Sequence, residues 1–163
     1  MRIAIGSDHA GFDLKESLVD RLRDQGHLVT DFGTYGELPV VDYPIFAIPP
    51  AEAVSRGETE RAIVIGGTGI GGAIAANKVL GVRCAVCWNR QTAELSRRHN
   101  NANVLSIGQR ELTIPVAFEI VDVWLRTPFE GGPHARRVQE LDCYEAGWGV
   151  KGMVAVFERK TTL

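Results

Sequence analysis

This chain has few cysteines, no long apolar run and no excess of positive charge, and each shortage removes a class of function. Cys84, Cys87 and Cys143 are the only cysteines in 163 residues. An odd, sparse set does not build a disulfide framework, so a reducing compartment, the cytoplasm, is expected. Cys84-x-x-Cys87 lies inside Val82–Trp88, which reads as a buried strand. Residues three apart on a strand face opposite sides, so the two thiols are expected to be structural rather than a redox or metal pair. No stretch approaches the roughly 20 apolar residues that cross a bilayer. Met1–Gly6 reads directly as a strand with no room for a secretory leader, and no membrane partner is expected. A formal net charge of −2 gives no basis for nucleic-acid binding. His134, Arg136 and Arg137 form a small local cluster, not a basic face. Internal repeats and low-complexity tracts are absent.

What is present is the composition of an ordinary globule, 45% hydrophobic and 23% charged. Strand-like and helical patterns alternate along it. Strands are expected at Arg2–Gly6, Leu28–Phe32, Ala62–Ile65, Arg83–Trp88 and Val104–Ile107. Helices are expected at Leu14–Gln25, near Ile45–Ser55 with an interruption at Pro49-Pro50, after the glycines that follow Ile65, at Gln91–Arg98, at Leu112–Leu125 and at Gly131–Glu145. This alternation implies an α/β fold: a single Rossmann-like, three-layer domain with a five-stranded parallel sheet. The domain is expected over 1–147. Residues 148–163 form an extension of unassigned role, with one short extra strand at Met153–Phe157.

The densest signal is Gly66-Gly67-Thr68-Gly69-Ile70-Gly71-Gly72, where five of seven residues are glycine, between the third strand and an Ala-rich helix. Glycines let backbone N–H groups approach a ligand, and a helix start supplies unpaired donors, so such a turn suits a phosphate or an oxyanion. Gly67-x-Gly69-x-x-Gly72 matches the dinucleotide fingerprint literally. That fingerprint, however, belongs to the first strand–helix turn and needs an acidic residue about 20 positions on, where this chain has Trp88-Asn89-Arg90. A nicotinamide or flavin enzyme is therefore disfavoured. A Walker loop is excluded too, because no Gly-Lys-Ser/Thr closes the turn. A purely structural turn would seldom need so many glycines.

Ligands of parallel sheets bind beyond the carboxyl ends of the strands. That edge is expected to carry Asp8, His9, the glycine turn, Asn89 and Arg110. Asp8-His9 reads either as a helix cap with a solvated His or as a site. Arg97-Arg98-His99-Asn100-Asn101 closes a helix, where cations and Asn are ordinary. A His beside several amides also suits proton transfer and the binding of sugar hydroxyls. Arg136 and Arg137 read as a solvated face or as phosphate ligands. Asp42-Tyr43-Pro44 starts a helix or supplies an aromatic wall and a hydroxyl.

Six ordered blocks of these residues together resemble the type B ribose-5-phosphate isomerase family, which includes the galactose-6-phosphate isomerase subunits. They are Gly6–Gly11, Asp42–Pro44, Gly67–Gly71 with Ile74–Lys78, Gly81–Arg83, His99–Asn103 and Glu130–Gly132. The resemblance implies a cytoplasmic aldose–ketose isomerase working on a small sugar phosphate through a cis-enediolate, with no metal and no organic cofactor. It implies a homodimer with shared active sites, or a tetramer. It assigns ring opening to His99, sugar contacts to Asp8, Tyr43 and Asn100, and oxyanion stabilisation to the amides of Gly67, Gly69 and Gly71. Thr68 assists proton movement at the oxygens, and His9, Arg110 and Arg137 hold the phosphate. His99 and Arg110 are offered to a neighbouring subunit.

The chain departs from the family pattern at three places. Gly66 stands where many members have a catalytic Cys, Gly72 where others use a Glu, and Pro133 where many have an Arg. Glycine cannot abstract a proton, so the base is expected elsewhere, at Asp8 first and Asp42 second. The alternative is a catalytically weak paralogue that binds a sugar phosphate or pairs with an active partner subunit.

Overall fold

The computed structural model describes residues 1–36 and 40–158. Five parallel strands form one sheet: β1 (Arg2–Ser7), β2 (Leu28–Asp31), β3 (Arg61–Gly66), β4 (Cys84–Val86) and β5 (Val104–Gly108), in the order β2-β1-β3-β5-β4. Seven α-helices are described: α1 (Phe12–Asp24), α2 (Tyr43–Ser55), α3 (Ile70–Ala76), α4 (Arg90–Asn100), α5 (Ile114–Arg126), α6 (Pro133–Glu145) and α7 (Gly149–Glu158).

Alternation along the central strands sorts the core by size. Ile3 and Ile5, Ile63 and Ile65, and Leu105 and Ile107 face one side, where Leu14, Leu18 and Leu22 of α1, Ala93 of α4 and Ile120 and Trp124 of α5 cover them. Ala4, Ala62, Val64 and Val104 face the other side, against Ala47, Ala51 and Ala53 of α2 and Ala75 and Ala76 of α3. Small residues let those two helices sit close to the sheet. Cys87 belongs to the first layer and Cys84 packs on the second, so the two thiols point to opposite faces, as the strand reading requires. Burial pushes both thiols up from their ordinary pKa, which leaves them poor nucleophiles at neutral pH.

Two local expectations are corrected. Pro49 and Pro50 do not interrupt α2, which runs unbroken from Tyr43 to Ser55. Pro50 has no N–H for the carbonyl of Phe46, and that carbonyl lies where a side chain on Gly6 would be. Burial of Ala47, Pro50, Ala51 and Ala53 against the sheet outweighs the lost backbone bonds. The strand expected at Met153–Phe157 is also wrong, because those residues lie in α7. A strand needs a free ladder, and α6 stands beside the approach to edge strand β4, where Glu145 accepts from Gly81 N at 2.8 Å and Asp142 pairs with Arg83 at 3.2 Å. A helix satisfies its own backbone there. Residues 159–163 of the extension lie outside the described residues.

Candidate active site

The chain moves from β1 outward to β2, then crosses back to β3 and on toward β4 and β5, so strand order reverses between β1 and β3. Open parallel sheets bind ligands beyond the carboxyl ends of strands at such a reversal. Asp8 follows β1 and the glycine turn follows β3, and both border one cleft of about 310 Å³ with His9, Tyr43 and Arg110.

The turn is fixed from behind. Gly66 and Gly67 carbonyls accept from Gln109 N (2.9 Å) and Arg110 N (3.0 Å), and Ser106 Oγ donates to Gly69 O at 2.6 Å. Gly108 lets the turn rest on the end of β5, since a Cβ there would stand 2.5 Å from the carbonyl carbon of Thr68. Gly69 caps α3 with φ +79 and ψ −16, a left-handed conformation that only glycine enters without strain. Thr68 is exposed, and its hydroxyl lies 3.4 Å from Ile70 N.

Three glycines of the turn are each covered by a functional side chain from elsewhere. The position of an absent Cβ at Gly66 lies 3.2 Å from Asp8 Oδ2. At Gly67 it lies 3.3 Å from the Arg110 guanidinium, and at Gly71 3.0 Å from the Tyr43 ring. Small residues here make room for a carboxylate, a cation and a phenol above a row of backbone amides. Asp8 accepts from Ala10 N at 2.9 Å through Oδ1, as a helix cap, while its backbone N–H donates to Ile65 O at 3.2 Å. His9 Nδ1 lies 3.2 Å from both the N and the O of Val41, so Nε2 is the ring atom left for a ligand. Asp8-His9 is thus cap and cleft wall together.

The remaining candidates stand elsewhere. Helix α4 starts beyond the carboxyl end of β4 and returns to the amino end of β5, which carries His99 and Asn100 to the opposite edge of the sheet. Within one chain they do not meet the glycine turn. His99 stacks on His134 with ring centroids 4.1 Å apart, and its Nε2 is 3.9 Å from Glu130. Arg137 lies 3.3 Å from His134 Nδ1, and Arg98 pairs with Glu130 at 2.9 Å. The i, i+3 spacing of His134 and Arg137 at the start of α6 places the two together. Arg110, expected to serve a neighbouring subunit, covers its own chain's Gly67.

Asn89 lies at the expected edge, but its side chain is committed to a capping box with Thr92. Asp42 is exposed and is not part of the cleft wall. Arg97 is structural: it is buried, donates to the carbonyls of Ala102 and Thr127 and to Asn101 Oδ1, and lies over Trp124. Burial lowers its pKa to about 10, with Arg61 and Arg83 adding to the effect.

Among the described residues, His99, Glu130 and His134 are the one group whose donor atoms gather within 4.8 Å, close enough to suggest a metal. The donor set is a poor one. Imidazole lone pairs lie in the ring planes, and two stacked, nearly parallel rings (9°) do not converge on one ion. Arg98 already holds Glu130, and Arg137 adds a second cation nearby. The cluster suits an anion better than a cation. No helix among the described residues is long and apolar enough to cross a membrane.

The fold and the sequence are similar to those of known proteins. The chain is 44% identical to ribose-5-phosphate isomerase B of Mycolicibacterium paratuberculosis, over 89% of this chain and 92% of that protein. It is 42% identical to D-erythrulose-4-phosphate isomerase of Pectobacterium atrosepticum, over 89% and 95% of the two chains. The structure of Clostridium thermocellum ribose-5-phosphate isomerase B superposes with a TM-score of 0.88 at 50% identity, covering 91% of this chain and all of that one. Residues 3–141 match the ribose/galactose isomerase family, and the chain belongs to that family.

Proposed function

We propose that this chain is an aldose–ketose isomerase that moves a carbonyl between C1 and C2 of a small sugar phosphate through a cis-enediolate. The observation that carries the reading is the glycine turn at the strand-order reversal, with Asp8, Arg110 and Tyr43 each lying over one of its glycines. An enediolate needs donors aimed at the developing oxyanion, and the amides of Gly67, Gly69 and Gly71 supply them without reorganisation. Arg110 and the free Nε2 of His9 hold the phosphate at one end of the cleft. Tyr43 contacts the sugar hydroxyls, and Thr68 passes a proton between the two reacting oxygens.

Ring opening is assigned to His99, with Asn100 on the sugar and Arg137 on the phosphate. Because these residues sit at the opposite edge of the sheet, they act in the cleft of a second copy, in a homodimer whose two sites each draw on both chains. Relatives named ribose-5-phosphate isomerase B and D-erythrulose-4-phosphate isomerase support a four- or five-carbon sugar phosphate as substrate. Of these we assign ribose 5-phosphate. The reaction as written uses neither a metal nor an organic cofactor.

A second reading rests on Gly66 and Gly72. Without a side chain at either position, the chain is instead a weak paralogue that binds the sugar phosphate or completes an active partner. Proton and phosphorus NMR in D2O distinguishes the two. The first reading expects ribose 5-phosphate or a four-carbon analogue to convert with deuterium entering C1 or C2, while free ribose is turned over poorly. Binding of the phosphates with no conversion and no exchange would refute it in favour of the second.

A further inference from the structure

The isomerase reading leaves one step without an actor, the removal of a proton from carbon, and the geometry points to Asp8 Oδ2 as the base, with Gly66 bare so that Asp8 can reach the substrate. This inference rests on the proposed isomerisation.

The cleft offers five side chains beyond its glycines and Ala10. The Arg110 guanidinium has no lone pair to give. Tyr43 and Thr68 carry hydroxyls, which in neutral form are weak bases toward carbon acids. His9 is anchored at Val41 through Nδ1, and its Nε2 is occupied by the phosphate in the proposed pose. Among the described residues, Asp8 is the only carboxylate in the cleft wall.

Its two oxygens have different duties. Oδ1 is held by Ala10 N–H at 2.9 Å. Oδ2 accepts no hydrogen bond among the described residues and lies 3.2 Å from the point where a Cβ on residue 66 would stand. The backbone bond from Asp8 N to Ile65 O ties the carboxylate to the end of β3. A general base needs this combination: one oxygen fixed, one free, and a backbone that does not move.

Any side chain at position 66 would sit in contact with Oδ2 and cover it. The other carboxylate bordering Thr68 is Glu111, which is exposed and lines a separate cleft with Trp88 and Leu112 on the far side of the turn.

The step balances within the substrate and the carboxylate. In the aldose direction, Oδ2 takes the proton from C2 and the C–H electron pair becomes the C1–C2 double bond. The carbonyl π pair moves onto O1, which the turn amides hold. Thr68 relays the O2 proton to O1, and Asp8 returns its proton to C1 as the C2 carbonyl forms.

The test measures C2-proton exchange in D2O together with the dissociation constant of ribose 5-phosphate, for the wild type, Asp8→Asn, Gly66→Ala and Glu111→Gln. Asn is as good a helix cap as Asp, so Asp8→Asn keeps the bond to Ala10. It is expected to lower exchange by about 10²–10⁴-fold, the usual worth of a general base, with the dissociation constant within about tenfold of wild type. Gly66→Ala is expected to lower exchange about tenfold or more, again with little change in binding, because its methyl group crowds Oδ2. Glu111→Gln should exchange like the wild type. An active wild type with exchange intact in Asp8→Asn overturns the assignment of Asp8 and leaves the isomerase standing. Gly66→Ala at the wild-type rate overturns the role of the bare position, and loss in Glu111→Gln moves the base across the turn. A wild type that binds the sugar phosphate without any exchange overturns the isomerase reading itself.

Discussion

Replacing Gly69 with alanine separates the two reasons this position needs glycine. Its φ of +79 costs an alanine about 1 kcal/mol. The added Cβ would also stand 2.9 Å from the carbonyl carbon of Ile107 and 3.2 Å from its Cα and O. These are β5 backbone atoms that cannot swing away, so the overpacking cost of about 1–3 kcal/mol applies as well. The sum is about 3 kcal/mol, which for a chain of this size lowers Tm by about 6–12 °C. Gly57 supplies the control, with a φ of +71 and nothing within 4 Å of its missing Cβ. Gly57→Ala should lose only the conformational part, about 1 kcal/mol or 2–4 °C. Urea unfolding and thermal melts of both variants measure the difference. Activity should separate them further, because an angstrom-scale shift of the turn amides costs about 100-fold in kcat, while Gly57 is far from the cleft. If the two variants lose the same stability within about 0.5 kcal/mol, the steric reasoning is wrong.

Sharing of residues between two copies is tested by mixing Asp8→Asn with His99→Ala after co-refolding. Each variant is expected to be nearly inactive alone. A mixture of equal parts should recover about a quarter of wild-type activity, since half of random dimers are mixed and one of their two sites is intact; no recovery would mean that each site takes both residues from the same chain. At acid pH, stability should depend on Asp122. Burial favours its neutral form, but hydrogen bonds from Arg21 (2.6 Å) and Gln25 (3.1 Å) outweigh this and hold its pKa below the usual 3.8. A depressed carboxylate pKa contributes stability that is complete above the unfolded value and is lost as pH falls through the folded one. The Tm gap between wild type and Arg21→Met should therefore shrink as pH falls below the usual 3.8 and through the lower folded-state pKa, where the carboxylate protonates. A gap that stays constant would show that Arg21 acts through packing on Phe118, over which its guanidinium lies at 4.6 Å.

The sheet was legible because its strands are short apolar runs bounded by glycine and polar clusters, and the glycine turn because so much glycine in one place has few structural uses. Other features depended on context that a local reading does not carry. Pro49 and Pro50 read as a break, yet the alanines around them bury against an Ala/Val face that takes a helix at close range. Val150, Met153 and Val154 have strand propensity, but the approach to β4 is occupied by α6, so the segment coils instead. The place of His99 follows from elementary topology once the sheet is known to be parallel, since a helix leaving the carboxyl edge must end at the amino edge. What no local pattern reveals is that residue 8 lies over residue 66.

That juxtaposition is set by core packing. β1 pairs with β3 so that Gly6 stands opposite Val64 and Ser7 opposite Ile65, which brings Asp8 level with Gly66. The register is held because Ile3 and Ile5 share a face with Ile63 and Ile65, while Ala4 shares the other with Ala62 and Val64. A slip of one residue would turn the isoleucines of β3 toward the alanine face, where α2 and α3 leave no room for them. It would also carry Asp8 from the bare Gly66 to Ile65, whose side chain belongs to the core, or to Gly67, which Arg110 covers. The pattern of large and small residues that closes the two core layers thus also decides which side chain the carboxylate faces. Substitutions in the core, such as Ala62→Ile, would disturb proton transfer at Asp8 through register and not through contact with the substrate.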